Sequence, residues 1–374
     1  MKDLRFRFLL PVEILMVDEG ELDLSEEISG DSVVIVTDPF LYDSGQAHAL
    51  GRSITTARVN YFHQIEPNPS TDTVDACGAA IREAGASAVI GFGGGSCLDT
   101  AKAAACMAAS DRKFVECLEG GADLPKRQPR LILIPTTAGT GSEVTNVGVY
   151  TSSETGAKIP MVRPDFYADT AVLYPQATYT MPPQVTANTG MDAFCHAIEA
   201  YWNQNSQPLC DACAIEALKL IKDNLLTAFQ KRDDTEARKN MSTASLLAGV
   251  AFSQTRTTGP HALSYPLTAR YHVAHGVGCA VSLPAFIRMS SQKAASKMKR
   301  LAGNLGYADV ESLADGVEEL LKSLHMPTRL REIGAGEQEL EDIAREAMNY
   351  YPQLALTPAV ITLESLSDML HSIY

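Results

Sequence analysis

The sequence predicts an N-terminal α/β unit built on a parallel sheet, followed by an all-helical C-terminal unit. Short apolar, β-branched runs alternate with alanine-rich helical stretches in the first half; the runs are 32–37, 87–91 and 131–135, and the stretches are 71–84 and 96–109. Apolar strands separated by helices are typical of βαβ units on a buried sheet. Beyond about residue 178 amphipathic helical spacing takes over, as in 213–229. We therefore expect two domains, 1–178 and 179–374.

Composition limits the classes of function. The chain has 374 residues, of which 45% are hydrophobic, and its net charge is −14. Such an acidic protein is a poor partner for nucleic acid or an anionic membrane surface, because phosphates require basic patches. The longest apolar runs are too short for a transmembrane helix, and Glu13 interrupts the apolar N-terminal run before it reaches the length of a secretory signal. We expect a cytoplasmic enzyme with a small-molecule substrate.

A glycine-rich turn follows one of the predicted strands. The segment Gly91–Lys102 ends the strand and opens a helix, and Gly93, Gly94 and Gly95 bring backbone N–H groups close to any bound anion. A helix N-terminus of this kind binds pyrophosphate; the alternative is a tight turn without a ligand. Asp38 ends the first clear strand, where a carboxylate favours NAD over NADP by binding a ribose 2′-OH. The alternative for Asp38 is a turn residue before proline.

Four residues in the second half suit a metal ion. Asp192 and His196 are four residues apart in a helical stretch, so both side chains lie on one face. His261 and His275 follow downstream. Three imidazoles and one carboxylate suit Fe²⁺ or Zn²⁺ and leave a position for a substrate oxygen. The alternative is a surface Asp–His pair with two unrelated core histidines.

Four long motifs, taken together, resemble one known family. They are Gly93–Lys102, Pro135–Thr145, Gly190–Tyr201 and His261–Gly276. Their residues and their order are similar to those of the iron-containing (group III) alcohol dehydrogenases. The resemblance implies a dehydroquinate synthase-like architecture, with an N-terminal dinucleotide-binding domain and a C-terminal metal-binding domain. It also implies a homodimer or a larger homo-oligomer.

The resemblance assigns roles to individual residues. Asp192, His196, His261 and His275 match the metal ligands, for Fe²⁺ or alternatively Zn²⁺. The cofactor-binding positions are Asp38, Gly93, Gly94, Gly95, Ser96, Asp99, Thr136, Thr137 and Ser142, for NAD or alternatively NADP. The implied reaction is reversible hydride transfer between nicotinamide and a small alcohol or aldehyde, in which the metal polarises the carbonyl group.

The sequence departs from the family pattern at one position near the metal ligands. Tyr265 stands where the family usually has a second histidine, four residues after the first downstream ligand. A tyrosine hydroxyl relays protons, but it titrates near 10 rather than near neutral pH. His272 is the other candidate for a proton relay, and its alternative is a solvated loop residue.

Two arginines near the histidines predict an anionic substrate. Arg256 precedes His261 by five residues, and Arg270 precedes His275 by five. Guanidinium groups there suit a phosphonate or carboxylate, as in family members that reduce phosphonoacetaldehyde. The alternative is that both arginines pair with acidic neighbours. Two other functions stay open: a dehydroquinate synthase-like, non-redox enzyme on the same scaffold, and a catalytically weak metal- or nucleotide-binding paralogue.

Overall fold

The computed structural model describes residues 6–18 and 20–374. The chain forms two compact units. The α/β unit comprises Leu10–Thr137 and Gly141–Tyr179, and the helical unit comprises residues 6–9, Ala138–Thr140 and Thr180–Tyr374. All residues after Tyr179 belong to the helical unit, so this boundary lies one residue after the one expected at residue 178. The two short early segments that join the helical unit have no signal in the sequence.

The α/β unit is built on a parallel sheet. In the described residues its strands are β1 (Glu13–Met16), β2 (Ser32–Val36), β3 (Arg58–Phe62), β4 (Ala88–Gly93), β5 (Arg130–Pro135) and β8 (Thr170–Leu173), in the order β1-β8-β5-β4-β2-β3. Every neighbouring pair of these strands is parallel. The predicted parallel sheet is thus confirmed. Two further strands, β6 (Val147–Thr151) and β7 (Lys158–Val162), form a separate antiparallel pair.

Burial of the central strands explains their apolar sequences. All five residues of β2 and all six of β4 are buried, because helices cover both faces of a parallel sheet. The helices of this unit are α1 (Pro39–Asp43), α2 (Gln46–Ser53), α3 (Thr71–Glu83), α4 (Gly95–Met107) and α5 (Phe114–Leu118). Helix α4 lies against β4, β5 and β6, and ten of its thirteen residues are buried. Its alanine-rich sequence allows this close packing.

The second unit contains helices and short helical turns, as predicted. Its α-helices are α6 (Pro183–Trp202), α7 (Pro208–Gln230), α8 (Thr235–Thr255), α9 (Gly259–Tyr271), α10 (His275–Ala280), α11 (Leu283–Asn304), α12 (Val310–Ser323), α13 (Leu340–Ala347), α14 (Tyr351–Leu354) and α15 (Leu363–Ser372). Helix α6 is the central one, packed against α7, α8 and α10. Within the described part of the chain, none of the helices has the length and apolar character needed to cross a membrane.

Close packing of α10 on α6 requires a glycine after His275. A Cβ atom on Gly276 would lie 1.9 Å from the backbone oxygen of Asn188 in α6. That separation is far inside van der Waals contact, so only glycine lets α10 approach α6 this closely. The close approach brings the start of α10 beside the middle of α6, where Asp192 lies.

Candidate functional site

Three of the four predicted metal ligands meet in the helical unit. Asp192 lies on α6, His261 on α9, and His275 is the first residue of α10. The Nε2 atoms of His261 and His275 lie 3.5 and 3.8 Å from Asp192 Oδ1. The thiol of Cys279 joins them, and one donor atom from each of these four residues lies within 4.8 Å of all the others. We call these four residues the donor cluster.

Two atoms of the donor cluster are buried without a hydrogen-bond partner. Among residues 6–18 and 20–374, neither Asp192 Oδ1 nor His261 Nε2 has one. A buried polar atom is almost always paired, and leaving one unpaired costs about 1–3 kcal/mol. A divalent cation would satisfy both atoms at once, since carboxylate oxygen and imidazole nitrogen are metal donors. The residues present therefore fit a divalent metal ion.

Glu199 fixes the orientation of His261. Its Oε1 atom accepts a hydrogen bond from His261 Nδ1 at 2.5 Å, and Oε2 accepts from the backbone N–H of Thr258 at 2.5 Å and from its hydroxyl at 2.9 Å. The Glu199 side chain is completely buried. A proton held on Nδ1 leaves the Nε2 lone pair directed at the donor cluster, as carboxylates do for metal-binding histidines elsewhere.

The pKa values in the cluster follow from burial and from mutual charge. Burial opposes ionisation of Asp192, but His196 and His275 outweigh it and hold the pKa of the carboxyl well below its usual range. Burial likewise lowers the pKa of His261, but the nearby Cys279 and Glu199 outweigh it, so the pKa is raised well above its ordinary value and a metal ion would bind Nε2 by displacing its proton. A carboxylate that stays ionised when buried attracts cations.

His196, the fourth predicted ligand, lies beside the donor cluster. Its Nδ1 atom is 3.3 Å from the backbone oxygen of Gly139, and its ring stacks between Phe252 and His261 at centroid distances of 4.2 and 4.5 Å. Burial lowers its pKa to about 4, so the ring is neutral at neutral pH. A neutral ring that donates from Nδ1 to a carbonyl keeps its Nε2 lone pair available.

The two candidates for a proton relay have different surroundings. Tyr265 packs on Tyr350 with ring centroids 4.5 Å apart, and burial raises its pKa to about 12. Its hydroxyl therefore keeps its proton at neutral pH and acts as a hydrogen-bond donor. His272 is exposed at the C-terminal end of α9, with a left-handed backbone. This is the solvated position named above as its alternative.

Arg256 has an unusual backbone conformation. It follows the last residue of α8 with φ +75° and ψ 172°, a region populated essentially by glycine alone. Its carbonyl oxygen accepts hydrogen bonds from Asn203 Nδ2 and from the Thr255 hydroxyl, both at 3.0 Å. Two residues later, Thr258 is bonded to Glu199. The turn carrying Arg256 is therefore fastened to the residue that orients His261.

The structure pairs Arg270 with acidic residues. Its Nε donates to Glu346 Oε2 at 3.0 Å, its Nη2 lies 2.5 Å from Glu346 Oε1, and its Nη1 lies 3.5 Å from Glu339 Oε1. A guanidinium engaged in a bidentate pair has its charge already matched. The substrate contact expected for Arg270 is therefore replaced by the alternative, a pairing with acidic neighbours.

The predicted nucleotide-binding residues come together in the α/β unit. Strand β2 continues to β3 on one side, whereas β4 continues to β5 on the other, which makes the carboxyl ends of β2 and β4 a topological switch point. Ligands of open α/β sheets bind at such points. The turn Gly93–Ser96 ends β4 and begins α4, Thr136 and Thr137 follow β5, and Asp38 follows β2. A Cβ atom on Gly94 would lie 3.6 Å from the Thr137 side chain, so the two segments adjoin.

Asp38 has structural contacts at this edge of the sheet. Its Oδ1 accepts from the backbone N–H of Leu41 at 2.9 Å and caps α1, while its Oδ2 is 3.8 Å from the thiol of Cys97 in α4. The carboxylate is thus held next to the start of α4. Asp38 therefore acts as a turn residue before proline, as in the alternative interpretation, and it also lies beside the glycine-rich turn.

Two other predicted cofactor residues belong to an internal network. Ser142 Oγ donates to Asp99 Oδ1 at 2.7 Å, and the backbone N–H of Val149 donates to Asp99 Oδ2 at 2.9 Å. The buried Lys102 donates to Ser142 Oγ at 2.7 Å. Because both oxygens of Asp99 are used in this way, the network fastens α4 to the segment that leads into β6. Asp99 and Ser142 therefore hold these segments together, and their contact with the cofactor stays a prediction.

Comparison with known proteins agrees with this arrangement. Residues 13–175 match the family model "Iron-containing alcohol dehydrogenase", and residues 186–374 match "Fe-containing alcohol dehydrogenase family, C-terminal". The chain is 37% identical over 338 residues to long-chain-alcohol dehydrogenase 1 of Geobacillus thermodenitrificans, covering 87% of this chain and 85% of the relative. It is 32% identical over 363 residues to a sulfoacetaldehyde reductase of Bilophila wadsworthia, covering 90% and 92%.

A solved structure gives the same result over the whole chain. The sulfoacetaldehyde reductase of Bifidobacterium kashiwanohense, solved in complex with NAD⁺, superposes with a TM-score of 0.92 at 34% identity and 99% coverage of both chains. The chain belongs to the iron-containing alcohol dehydrogenase family. Both family models describe dehydrogenases, which favours the redox function over the dehydroquinate synthase-like alternative.

Sequence reasoning missed two residues of the site. Glu199 lies seven residues after Asp192, on the same face of α6, and Cys279 lies four residues after His275 in α10. Both spacings return a side chain to the face of the preceding ligand, so the helical period contains the signal. The motif comparison passed over it because Asp192, His196, His261 and His275 already completed a ligand set.

Proposed function

We propose that the protein is a metal-dependent, NAD-linked dehydrogenase that interconverts a small alcohol and its aldehyde. The observation that carries this proposal is the buried pair of unpartnered donor atoms, Asp192 Oδ1 and His261 Nε2, directed at one point. Family membership supports the redox class of the reaction.

Asp192, His196, His261 and His275 would hold the metal. When it is bound, a divalent ion supplies Lewis-acid polarisation of a carbonyl oxygen. Glu199 keeps the proton of His261 on Nδ1 and thereby keeps Nε2 available. The His275 side chain is 40% exposed, so the donor cluster is reached from solvent on that side. The donor types suit Fe²⁺ and Zn²⁺ alike.

The glycine-rich turn would hold the pyrophosphate of NAD. Gly94 has no side chain to cap α4, so the first backbone N–H groups of a thirteen-residue helix are left for an anion. Asp38, held beside the start of α4, would accept from a ribose hydroxyl and repel a 2′-phosphate. The relative from Bifidobacterium kashiwanohense was solved with NAD⁺. The cofactor supplies the hydride, and these residues position it.

Arg256 supports a substrate that bears an anionic group. A protein of net charge −14 repels anions at long range, so an anionic substrate needs a local cation. Strained backbone persists where the surroundings hold it, and it concentrates at functional sites. The relatives from Bilophila and Bifidobacterium are named for sulfoacetaldehyde, an anionic aldehyde. We propose phosphonoacetaldehyde and sulfoacetaldehyde as the first substrates to assay.

Tyr265 would act as a hydrogen-bond donor in this reaction. Its raised pKa, about 12, keeps the phenol protonated, so it does not serve as a base at neutral pH. Tyr265 follows His261 by four residues in α9, so the two side chains lie on the same face of the helix. Its hydroxyl is therefore suited to stabilise negative charge on a substrate oxygen without changing its own protonation state.

An aldehyde panel tests the proposed function. The measurement is NADH oxidation with phosphonoacetaldehyde, sulfoacetaldehyde and propanal, each with Fe²⁺, with Zn²⁺ and after chelation. Turnover should require metal, and Arg256→Ala should lower kcat/KM for an anionic aldehyde by about 10- to 150-fold, the value of a charge-assisted contact. The kcat/KM for propanal should fall much less. An equal fall for all three aldehydes contradicts the substrate assignment, and full turnover without metal contradicts the mechanism.

A further inference from the structure

We propose that the thiolate of Cys279 is a metal ligand in this chain. The inference rests on the metal site proposed above and adds to it a sulfur donor outside the aspartate and three histidines matched by motif. Cys279 belongs to the donor cluster by position: its Sγ atom and one donor atom each of Asp192, His261 and His275 all lie within 4.8 Å of one another.

Three of the distances within the donor cluster fit a tetrahedral site. With metal–sulfur bonds of about 2.3 Å and metal–nitrogen or metal–oxygen bonds of about 2.0–2.2 Å, neighbouring donors of a tetrahedron lie about 3.3–3.6 Å apart. Cys279 Sγ lies 3.7 Å from His275 Nε2. The two imidazoles lie 3.5 and 3.8 Å from Asp192 Oδ1. Each separation is within a few tenths of an ångström of the tetrahedral value.

The position of Cys279 in α10 fixes where its thiol points. Residues four apart in a helix share a face, so Cys279 and His275 project toward the same point one turn apart. Cys279 is completely buried. Independently of the cysteine, the buried and unpartnered Asp192 Oδ1 and His261 Nε2 are directed at that point. A donor of each of three chemical types thus converges there.

A thiolate ligand changes the metal selectivity of the site. Sulfur is a soft donor, which favours Zn²⁺ over Fe²⁺, whereas oxygen and imidazole donors accept both. On binding, a metal–sulfur bond forms and the thiol proton is released to solvent. Cys279 thereby gives this chain a greater preference for zinc than the motif residues alone would provide.

Cobalt substitution tests the proposal without using activity. The cofactor-free protein is loaded with Co²⁺, and its near-ultraviolet absorption is recorded, because a thiolate ligand adds a sulfur-to-cobalt charge-transfer band. The band should be present in the unmodified protein and lost in Cys279→Ser and Cys279→Ala. Cys210→Ser, which alters another buried cysteine of the helical unit, is the matched control and should keep the band. The Zn²⁺ affinity of Cys279→Ala should fall by roughly tenfold or more.

The outcomes separate this inference from the proposed function. Cobalt bound without the charge-transfer band, or a band that persists in both Cys279 variants, overturns the role of Cys279 and leaves the metal site intact. Absence of any cobalt or zinc binding by the unmodified protein overturns both. Circular dichroism of the two variants establishes whether they are folded. If Cys279→Ala does not fold, Cys279→Ser provides the test, because serine is similar in size to cysteine.

Discussion

Glu199 Oε1 lies 2.5 Å from Nδ1 of His261, and both side chains are buried. The other carboxylate oxygen of Glu199 accepts two hydrogen bonds from Thr258, at the turn that carries Arg256. One acidic residue therefore orients a metal ligand and also fastens the turn that we assign to the substrate. Neither function requires Glu199 to touch metal or substrate, so it is a positioning residue.

Replacing Glu199 should weaken metal binding without removing a ligand. In Glu199→Gln the amide nitrogen faces either the N–H of Thr258 or that of His261, so one donor meets another. We expect Zn²⁺ affinity to fall by about 10- to 100-fold, the usual effect of losing such a partner. Titration calorimetry measures this. Glu216→Gln, an exposed site on α7, is the control; equal affinities for both variants would remove the positioning role.

His261→Ala should separate metal binding from cofactor binding. The variant loses a donor of the cluster, whereas the glycine-rich turn belongs to the other unit of the chain. We expect bound metal and turnover to be lost and the affinity for NAD to stay within about threefold of its original value. Metal analysis and equilibrium dialysis with NAD provide the two readouts. Full activity in metal-free His261→Ala would show that the reaction does not depend on this site.

Asp38→Asn should narrow the preference for NAD over NADP. Asparagine caps a helix as well as aspartate does, so the hydrogen bond to Leu41 N–H is kept while the charge is removed. Loss of one like-charge interaction with a 2′-phosphate, worth about 1 kcal/mol, should change the ratio of kcat/KM values about fivefold. Asp38→Gly removes both the charge and the side chain that caps α1, and it serves as a comparison. If the unmodified enzyme uses both cofactors equally, Asp38 does not face the 2′ position.

The sequence predicted more of the sheet's centre than of its edges. Strands β2, β4 and β5 are continuous apolar runs because they are buried on both faces, whereas β1 and β3 have mixed, half-exposed residues that resemble loop. The antiparallel pair β6–β7 was not predicted either, because Gly148 and Pro160 interrupt its apolar runs. Strand β1 pairs with β8, which is distant in the sequence, and a local pattern does not contain such a partner.

The candidate site shows the same contrast between residues that local sequence patterns predict and roles that tertiary contacts determine. Asp192, His261 and His275 were identified from motifs, and the structure brings them together. Arg270 was a poor candidate because its partners, Glu346 and Glu339, come about seventy residues later. Asp99 matched a cofactor motif, but the motif does not reveal that Ser142 and Val149 engage both its oxygens. Spacing identifies residues on one helix, and tertiary contacts decide their roles.

Glu143 should make the stability of the α/β unit depend on pH. Burial raises its pKa from the usual 4.5 to about 7. Between those values the unfolded carboxyl ionises while the folded one keeps its proton, so stability falls as pH rises and then levels off above about 7. Glu143→Gln removes this penalty, of about 3 kcal/mol. Thermal melts should show the variant stabilised near pH 7.5 and little changed near pH 4.5; Glu216→Gln should show no such difference.

Arg256→Gly should separate the strain at this position from its charge. The backbone at φ +75° and ψ 172° costs a non-glycine residue about 1–3 kcal/mol, and glycine adopts it freely. Arg256→Gly should therefore be more stable than Arg256→Ala by about that amount. Both variants should show the same fall in kcat/KM for the anionic aldehyde. Chemical denaturation and kcat/KM measure the two effects. If Arg256→Ala proves as stable as Arg256→Gly, the turn relaxes readily, and the hydrogen bonds from Asn203 and Thr255 do not hold a strained backbone in place for substrate binding.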